Sequence, residues 1–272
     1  MSQMDIEGTV PLQGEVSISG AKNAALPIMA AALLTEDECY LERVPQIQDI
    51  MTMAQVLEAV GAELRWLDSH TLVIRARNLK TAQIPGDLAT RMRSSFLVMG
   101  PLLARFGQAE APHPGGCAIG TRPVSVDLKG FQSMGVERQN GSYLAHAPHL
   151  WGERISLDYP SHTGTENLLM AACLARGTTV IENASVEPEV VDLANFLNSL
   201  GARIYGAGAG IIQVEGVERL HGGAFRIMPD RLEAGTFALA AAVTGGSVAL
   251  DAAVAPYLGA LTSKLQEAGV DV

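Results

Sequence analysis

The segment His113-Pro114-Gly115-Gly116-Cys117-Ala118-Ile119-Gly120-Thr121-Arg122-Pro123 places a thiol among three glycines and a guanidinium five residues later, at a helix start marked by Pro123. A nearby cation and the positive end of a helix dipole both favour a thiolate, so Cys117 is a candidate acid, base or nucleophile. The glycines free the backbone of this loop to move as a lid. The other two cysteines read as structural. Cys173, within Ala171-Ala172-Cys173-Leu174-Ala175, is a small core residue, and Cys39 alternates with Leu41 in a strand-like run.

Cations elsewhere could meet an anionic ligand. Ser19-Gly20-Ala21-Lys22-Asn23 precedes an apolar helix whose Pro27 is expected in the first turn, which places Lys22 and Asn23 at a helix entrance that attracts phosphate or carboxylate. A solvated lysine beside a turn fits the same residues. Arg91 and Arg93 are expected to open an apolar helix around Met92-Arg93-Ser94-Ser95-Phe96-Leu97, as a phosphate fork or as a helix cap. Asp230-Arg231-Leu232-Glu233 has capping-box spacing, and Thr165-Glu166-Asn167 also begins a helix. Gly206-Ala207-Gly208-Ala209-Gly210 lies between strand-like residues and reads as a hairpin turn. No P-loop, HExxH or Gly-x-Ser-x-Gly pattern is present, and the six histidines show no metal-ligand spacing.

The elements that position these residues recur. Glycines at 61, 135, 201 and 269 each follow an amphipathic helix, as in Ile50, Met53, Leu57 and Val60, and each suits the left-handed position past a helix end. Residues 30–34, 99–104, 168–175 and 237–243 are apolar, small-residue-rich stretches that read as four largely buried helices. Each is followed by a turn and an alternating, strand-like run. The period of about 70 residues fits an α/β supersecondary unit used four times, the last one cut short at Val272. A missing C-terminal portion is therefore expected.

At 272 residues with 48% hydrophobic content, the chain can fill about two domain cores. A net charge of −10 argues against nucleic acid or an anionic membrane as a general partner. No stretch has the roughly 18–20 apolar residues of a membrane span, and Met1-Ser2-Gln3-Met4-Asp5 lacks the features of a secretory signal, so a cytoplasmic location is expected.

Taken together, Ile18-Ser19-Gly20-Ala21-Lys22-Asn23, Arg91-Met92-Arg93-Ser94-Ser95, residues 100–107, the Cys117 loop, Thr165-Glu166-Asn167-Leu168, Asp192-Leu193-Ala194-Asn195 and residues 229–237 resemble the UDP-N-acetylglucosamine 1-carboxyvinyltransferases, in the same order along the chain. The resemblance implies transfer of the enolpyruvyl group of phosphoenolpyruvate to the 3-hydroxyl of UDP-N-acetylglucosamine with release of phosphate, the first committed step of peptidoglycan synthesis. It implies no metal or organic cofactor. A binding module without catalysis and a transfer to shikimate 3-phosphate are the competing readings; the cysteine loop speaks against the second.

The resemblance also implies a fold: an inside-out α/β barrel of repeated βαβαββ-type units, with residues 22–228 as a first lobe of three repeats and residues 1–21 and 229–272 as an incomplete second lobe. Carried across by position, Lys22 binds phosphoenolpyruvate and stabilises developing charge, Asn23 holds substrate, and Arg122 contacts phosphate. Arg93, Pro123, Val124, Ser125 and Val126 join the UDP-sugar site, and Cys117 is the proton donor that can form a phosphoenolpyruvate adduct. The family's general-base aspartate falls beyond Val272. Two stretches depart from the family pattern: Ser125-Val126-Asp127 stands where aspartate, leucine and histidine are usual, and Ser161-His162-Thr163-Gly164-Thr165 where Ser-Val-Gly-Ala-Thr is common.

Overall fold

A computed structural model of the chain describes residues 5, 8, 10–112, 124–139 and 143–272. Cys117, Arg122 and Pro123 lie outside the described residues. The chain forms two compact units, Lys22–Met228 and a smaller one made of Met1–Ala21 with Pro229–Val272.

In chain order the elements are β1 (Gln13–Val16), α1 (Lys22–Ala31), β2 (Glu38–Glu42), α2 (Gln48–Val60), β3 (Glu63–Trp66), β4 (Leu72–Arg75), α3 (Gly86–Arg91), α4 (Met99–Phe106), β5 (Gln108–Ala111), α5 (Ser125–Ser133), β6 (Glu137–Gln139) and β7 (Tyr143–His146). There follow β8 (Arg154–Ser156), α6 (His162–Ala172), β9 (Thr178–Glu182), α7 (Pro188–Ser199), β10 (Arg203–Tyr205), β11 (Ile211–Glu215), β12 (Gly223–Arg226), α8 (Arg231–Thr244), β13 (Ser247–Leu250) and α9 (Gly259–Glu267).

The larger unit is a threefold repetition of one arrangement with its helices inside. The third repeat shows it whole: β8 runs parallel to β9 through the crossover α6, then α7 leads into the antiparallel hairpin β10–β11, giving sheet order β10-β11-β9-β8. In the first repeat β2, β4 and β3 take the corresponding places, and the parallel neighbour of β2 is β12, donated from beyond the third repeat. The second repeat forms β5-β7-β6, with an isolated parallel bridge from Gln83 to Glu110 in place of the first strand.

The sheets enclose α1, α4 and α6. Every residue from Ala24 to Ala31, Met99 to Leu103 and Gly164 to Ala172 is buried. The buried stretches of α1 and α4 are apolar and so favour enclosure, α6 adds the buried polar residues Thr165, Glu166 and Asn167 ahead of its apolar end, and small residues let the three helices approach closely. The contact is tightest at Gly100, where an added Cβ would stand 2.3 Å from the backbone oxygen of Asn167. The second helix of each repeat ends as its sequence suggests: Gly61, Gly135 and Gly201 have φ of 107°, 92° and 97°.

Three local expectations are corrected. Arg91 closes α3 instead of opening a helix, Met92 is extended, and residues Arg93–Val98 form a 3-10 segment that runs into α4. Pro27 is the sixth residue of α1, so the Asn23 carbonyl receives no N–H from it. The third helix begins at His162, with the Ser161 side chain accepting from the Gly164 amide at 3.1 Å, a turn earlier than Thr165.

In the smaller unit β1 pairs in parallel with β13, joined in space over a core of Ile18, Ala234, Val254 and Leu258. Asp230 caps α8 by accepting from the Leu232 and Glu233 amides. Glu233 does not reach back to close the capping box; it accepts from the Ser19 amide at 2.8 Å. Residues 237–243 are not the buried helix expected from their composition, because within α8 only Ala234 and Gly235 are buried. Among the described residues no helix is long and apolar enough to cross a membrane.

Candidate functional site

The candidate residues of the larger unit fall in two places, one at the start of α1 and one around Arg93. Lys22 is the first residue of α1, and its Nζ lies 3.0 Å from Asp49 Oδ2, an acid in the first turn of α2. Both side chains are about 40% exposed, so this pair restrains the lysine without removing it from solvent and adds at most about 1 kcal/mol of stability. Asn23, beside it, is half-buried.

Arg93 and Val124 come together elsewhere on the unit. With Phe96, Leu97, Asp127, Thr163 and Asn167 they line a narrow pocket. Arg93 Nη1 donates to Thr163 Oγ1 at 3.1 Å, a contact that links the 3-10 segment to the N-terminus of α6. Arg91 instead turns to an exposed ion pair with Asp87, 3.7 Å away. Ser125 is exposed, whereas the Val126 side chain is buried and packs towards Gly164. Of the stretch 124–126, then, Ser125 presents its side chain to solvent, Val124 walls the pocket, and Val126 is a packing residue.

The larger unit also holds ionisable groups that are buried or mostly covered, and the sequence named few of them as a set. Glu166 is almost wholly buried; burial raises its pKa, opposed by His162, whose Nδ1 lies 3.4 Å from Glu166 Oε2. For His162 burial acts downward, yet the surrounding Glu166, Glu189 and Glu187 raise its pKa on balance. Burial also raises Asp127, against hydrogen bonding from Asn167 and the charge of Arg93. Asp192 is pushed up to about 6 by burial, although it accepts from the Met228 amide at 3.1 Å. Departures at Asp127 and His162 were visible in the sequence; their neighbours were not, since each partner lies on a different element.

The remaining described cysteines have no reactive setting. Cys39 and Cys173 are both buried, and burial pushes each thiol up to about 12, so neither supplies thiolate near neutrality. Among the described residues no group of His, Cys, Asp and Glu could hold a metal ion.

Inward helices, outer sheets and repeated βαβαββ units define the class to which the comparisons point. The chain belongs to the EPSP synthase (3-phosphoshikimate 1-carboxyvinyltransferase) family, whose sequence model matches residues 6–272. A relative from Caldanaerobacter subterraneus named UDP-N-acetylglucosamine 1-carboxyvinyltransferase 1 is 49% identical over 98% of this chain and 64% of its own length. One of the same enzyme name from Gluconacetobacter diazotrophicus is 50% identical over 100% of this chain and 66% of its own. The chain thus spans just under two thirds of these curated relatives. Among solved structures, the enolpyruvyl transferase NikO from Streptomyces tendae matches with TM-score 0.74 and 26% identity over 85% of this chain and 55% of that one. EPSP synthase from Acinetobacter baumannii shares the fold, with TM-score 0.75 and 18% identity over 97% of this chain and 62% of that one.

Proposed function

We propose that this chain carries the first lobe and part of the second lobe of an enzyme that transfers the enolpyruvyl group of phosphoenolpyruvate to the 3-hydroxyl of UDP-N-acetylglucosamine, releasing phosphate. The observation that carries this reading is near 50% identity, over almost the whole chain, to relatives that bear that enzyme's name. In this reading the first lobe is residues 22–228, the setting is the cytoplasm, and the product enters peptidoglycan synthesis.

Roles follow from chemistry. Lys22, held at a helix start by Asp49, meets the phosphoenolpyruvate anion, with Asn23 as a neighbouring donor. Arg93, held by Thr163, forks onto the diphosphate of the UDP-sugar, beside Val124 and Ser125. Val126 supports this loop from behind. Cys117 protonates the enolpyruvyl methylene carbon, Arg122 contacts the phosphate, and Pro123 belongs with Val124 and Ser125 to the UDP-sugar side. Both substrates are polyanions, so cations converging locally let a chain of net charge −10 bind them.

The test measures UDP-N-acetylglucosamine binding by calorimetry, and phosphate release from phosphoenolpyruvate with either UDP-N-acetylglucosamine or shikimate 3-phosphate as acceptor. Binding of the UDP-sugar together with protection of Cys117 from alkylation by phosphoenolpyruvate is expected. Binding without phosphate release would identify a UDP-sugar-binding piece of the enzyme. Phosphate release only with shikimate 3-phosphate, or equal alkylation of Cys39 and Cys117, would overturn the reading.

A further inference from the structure

A hydrogen bond between side chains 70 residues apart spans the crevice at Arg93. Arg93 opens the 3-10 segment, Thr163 is the second residue of α6, and Arg93 Nη1 donates to Thr163 Oγ1 at 3.1 Å. The hydroxyl is presented from a braced backbone. Ser161 caps α6 by accepting from the Gly164 amide, and Gly164 lets Val126 pack so close that an added Cβ would meet its Cγ1 at 2.9 Å. Thr163 and Gly164 stand where the family pattern commonly has glycine and alanine, so this hydroxyl is an addition made by this chain.

As formed by the described residues, the crevice is too narrow to admit a water molecule, and a phosphate is larger still. An anion therefore cannot enter to reach the nitrogen that Thr163 occupies. A fork that uses this nitrogen forms only after Arg93, which is half-buried, swings out of the crevice. The exchange is downhill, because a charge-assisted bond to phosphate is about twice as strong as one to a neutral hydroxyl. It is still taxed by the share of molecules in which Arg93 is held back.

We propose that Thr163 is a latch on Arg93: its hydroxyl keeps the crevice shut without ligand and lowers the affinity for an anionic ligand by holding the guanidinium back. The ligand is the UDP-sugar, and to that extent the inference rests on the function proposed above. A neutral hydrogen bond shifts such an equilibrium roughly three- to tenfold, which sets the size of the effect.

Thr163→Val keeps the branched shape and removes the acceptor, whereas Thr163→Ser keeps the hydroxyl. In the 272-residue chain, Thr163→Val is expected to tighten UDP-N-acetylglucosamine binding roughly three- to tenfold by calorimetry. Thr163→Ser is expected to bind as the unsubstituted chain does, and in an Arg93→Ala background Thr163→Val is expected to change nothing further. Weaker or unchanged binding in Thr163→Val, an equal gain in Thr163→Ser, or the same gain without Arg93 would overturn the latch. A second readout needs no ligand: the rate at which phenylglyoxal modifies Arg93, followed by peptide mass spectrometry with the exposed Arg203 as internal reference. Thr163→Val is expected to raise this rate by a similar factor, and an unchanged rate would overturn the proposal by itself. If the unsubstituted chain binds no UDP-sugar, the functional reading fails, and the modification rate of Arg93 still decides the latch.

Discussion

α6 and α8 are similar in sequence and opposite in burial. Each starts at a polar cap, Ser161 or Asp230, and continues into small apolar residues. Yet α6 buries every residue from Gly164 to Ala172, whereas α8 buries only Ala234 and Gly235 and leaves Leu239 and Val243 51% and 85% exposed. Apolar content states what a helix can bury; the number of elements packed around it decides what it does bury. In the larger unit α6 meets α4, α5 and α7 as well as β9, while α8 packs on β13 and the 3-10 turn at Ala252–Tyr257.

Truncating one leucine in each helix tests this contrast most strongly. Leu169→Ala, at a fully buried position, is expected to cost about 2–5 kcal/mol in denaturant unfolding, and Leu239→Ala less than about 1 kcal/mol. Equal losses would break the comparison. A matched pair of glycines sharpens it. A methyl at Gly100 would meet the Asn167 backbone oxygen at 2.3 Å, which nothing short of moving α4 from α6 relieves, so Gly100→Ala should cost about 1–3 kcal/mol or more. At Gly235 the nearest atom is the flexible end of Leu261 at 3.2 Å. There the gain in helix propensity offsets the crowding, and Gly235→Ala is expected within about 1 kcal/mol of neutral.

Enclosure acts on charge as well. Asp127, Glu166 and Glu189 are buried in the larger unit, while among the described residues of the smaller unit no acid is buried. Asp192, mostly covered, has a folded pKa of about 6 against 3.8 for an ordinary aspartate. The folded state therefore holds the proton more tightly than the unfolded one, and stability falls as pH rises from about 4 to 6. Asp192→Asn keeps an acceptor for the Met228 amide and removes this penalty. It is expected to stabilise the chain by on the order of 1–2 kcal/mol at pH 8 and by almost nothing at pH 4. A loss of stability at pH 8 would mean that the charge of Asp192 is compensated by its surroundings.

Much of the larger unit is legible because its signals are local. Gly61, Gly135 and Gly201 end helices, the hairpin at Gly206–Gly210 joins β10 to β11, and α1, α4 and α6 are enclosed, all in accord with spacing and composition. What sequence alone could not supply is long-range pairing. The capping-box spacing of Asp230 and Glu233 is real, but Glu233 bonds to Ser19, 214 residues away. Asp49 beside Lys22 and Asn167 beside Asp127 are 27 and 40 residues from their partners, beyond any helical or strand period. The burial of residues 237–243 was overestimated for the same reason: periodicity reports an apolar face and is silent about its neighbours.

The placement of β1 and α8 has a kinetic consequence. The core of the smaller unit joins Ile18 to Ala234, Val254 and Leu258, so its two halves are separated by the whole of residues 22–228. On a ribosome the larger unit is completed by β12 before α8 has been made, and the first strand must wait for its partner. Closing a flexible loop of that length would slow assembly, but a larger unit already folded replaces the flexible chain with a short span. Folding is thus expected in two steps, with the inserted unit leading and the unit that contains the N-terminus finishing last.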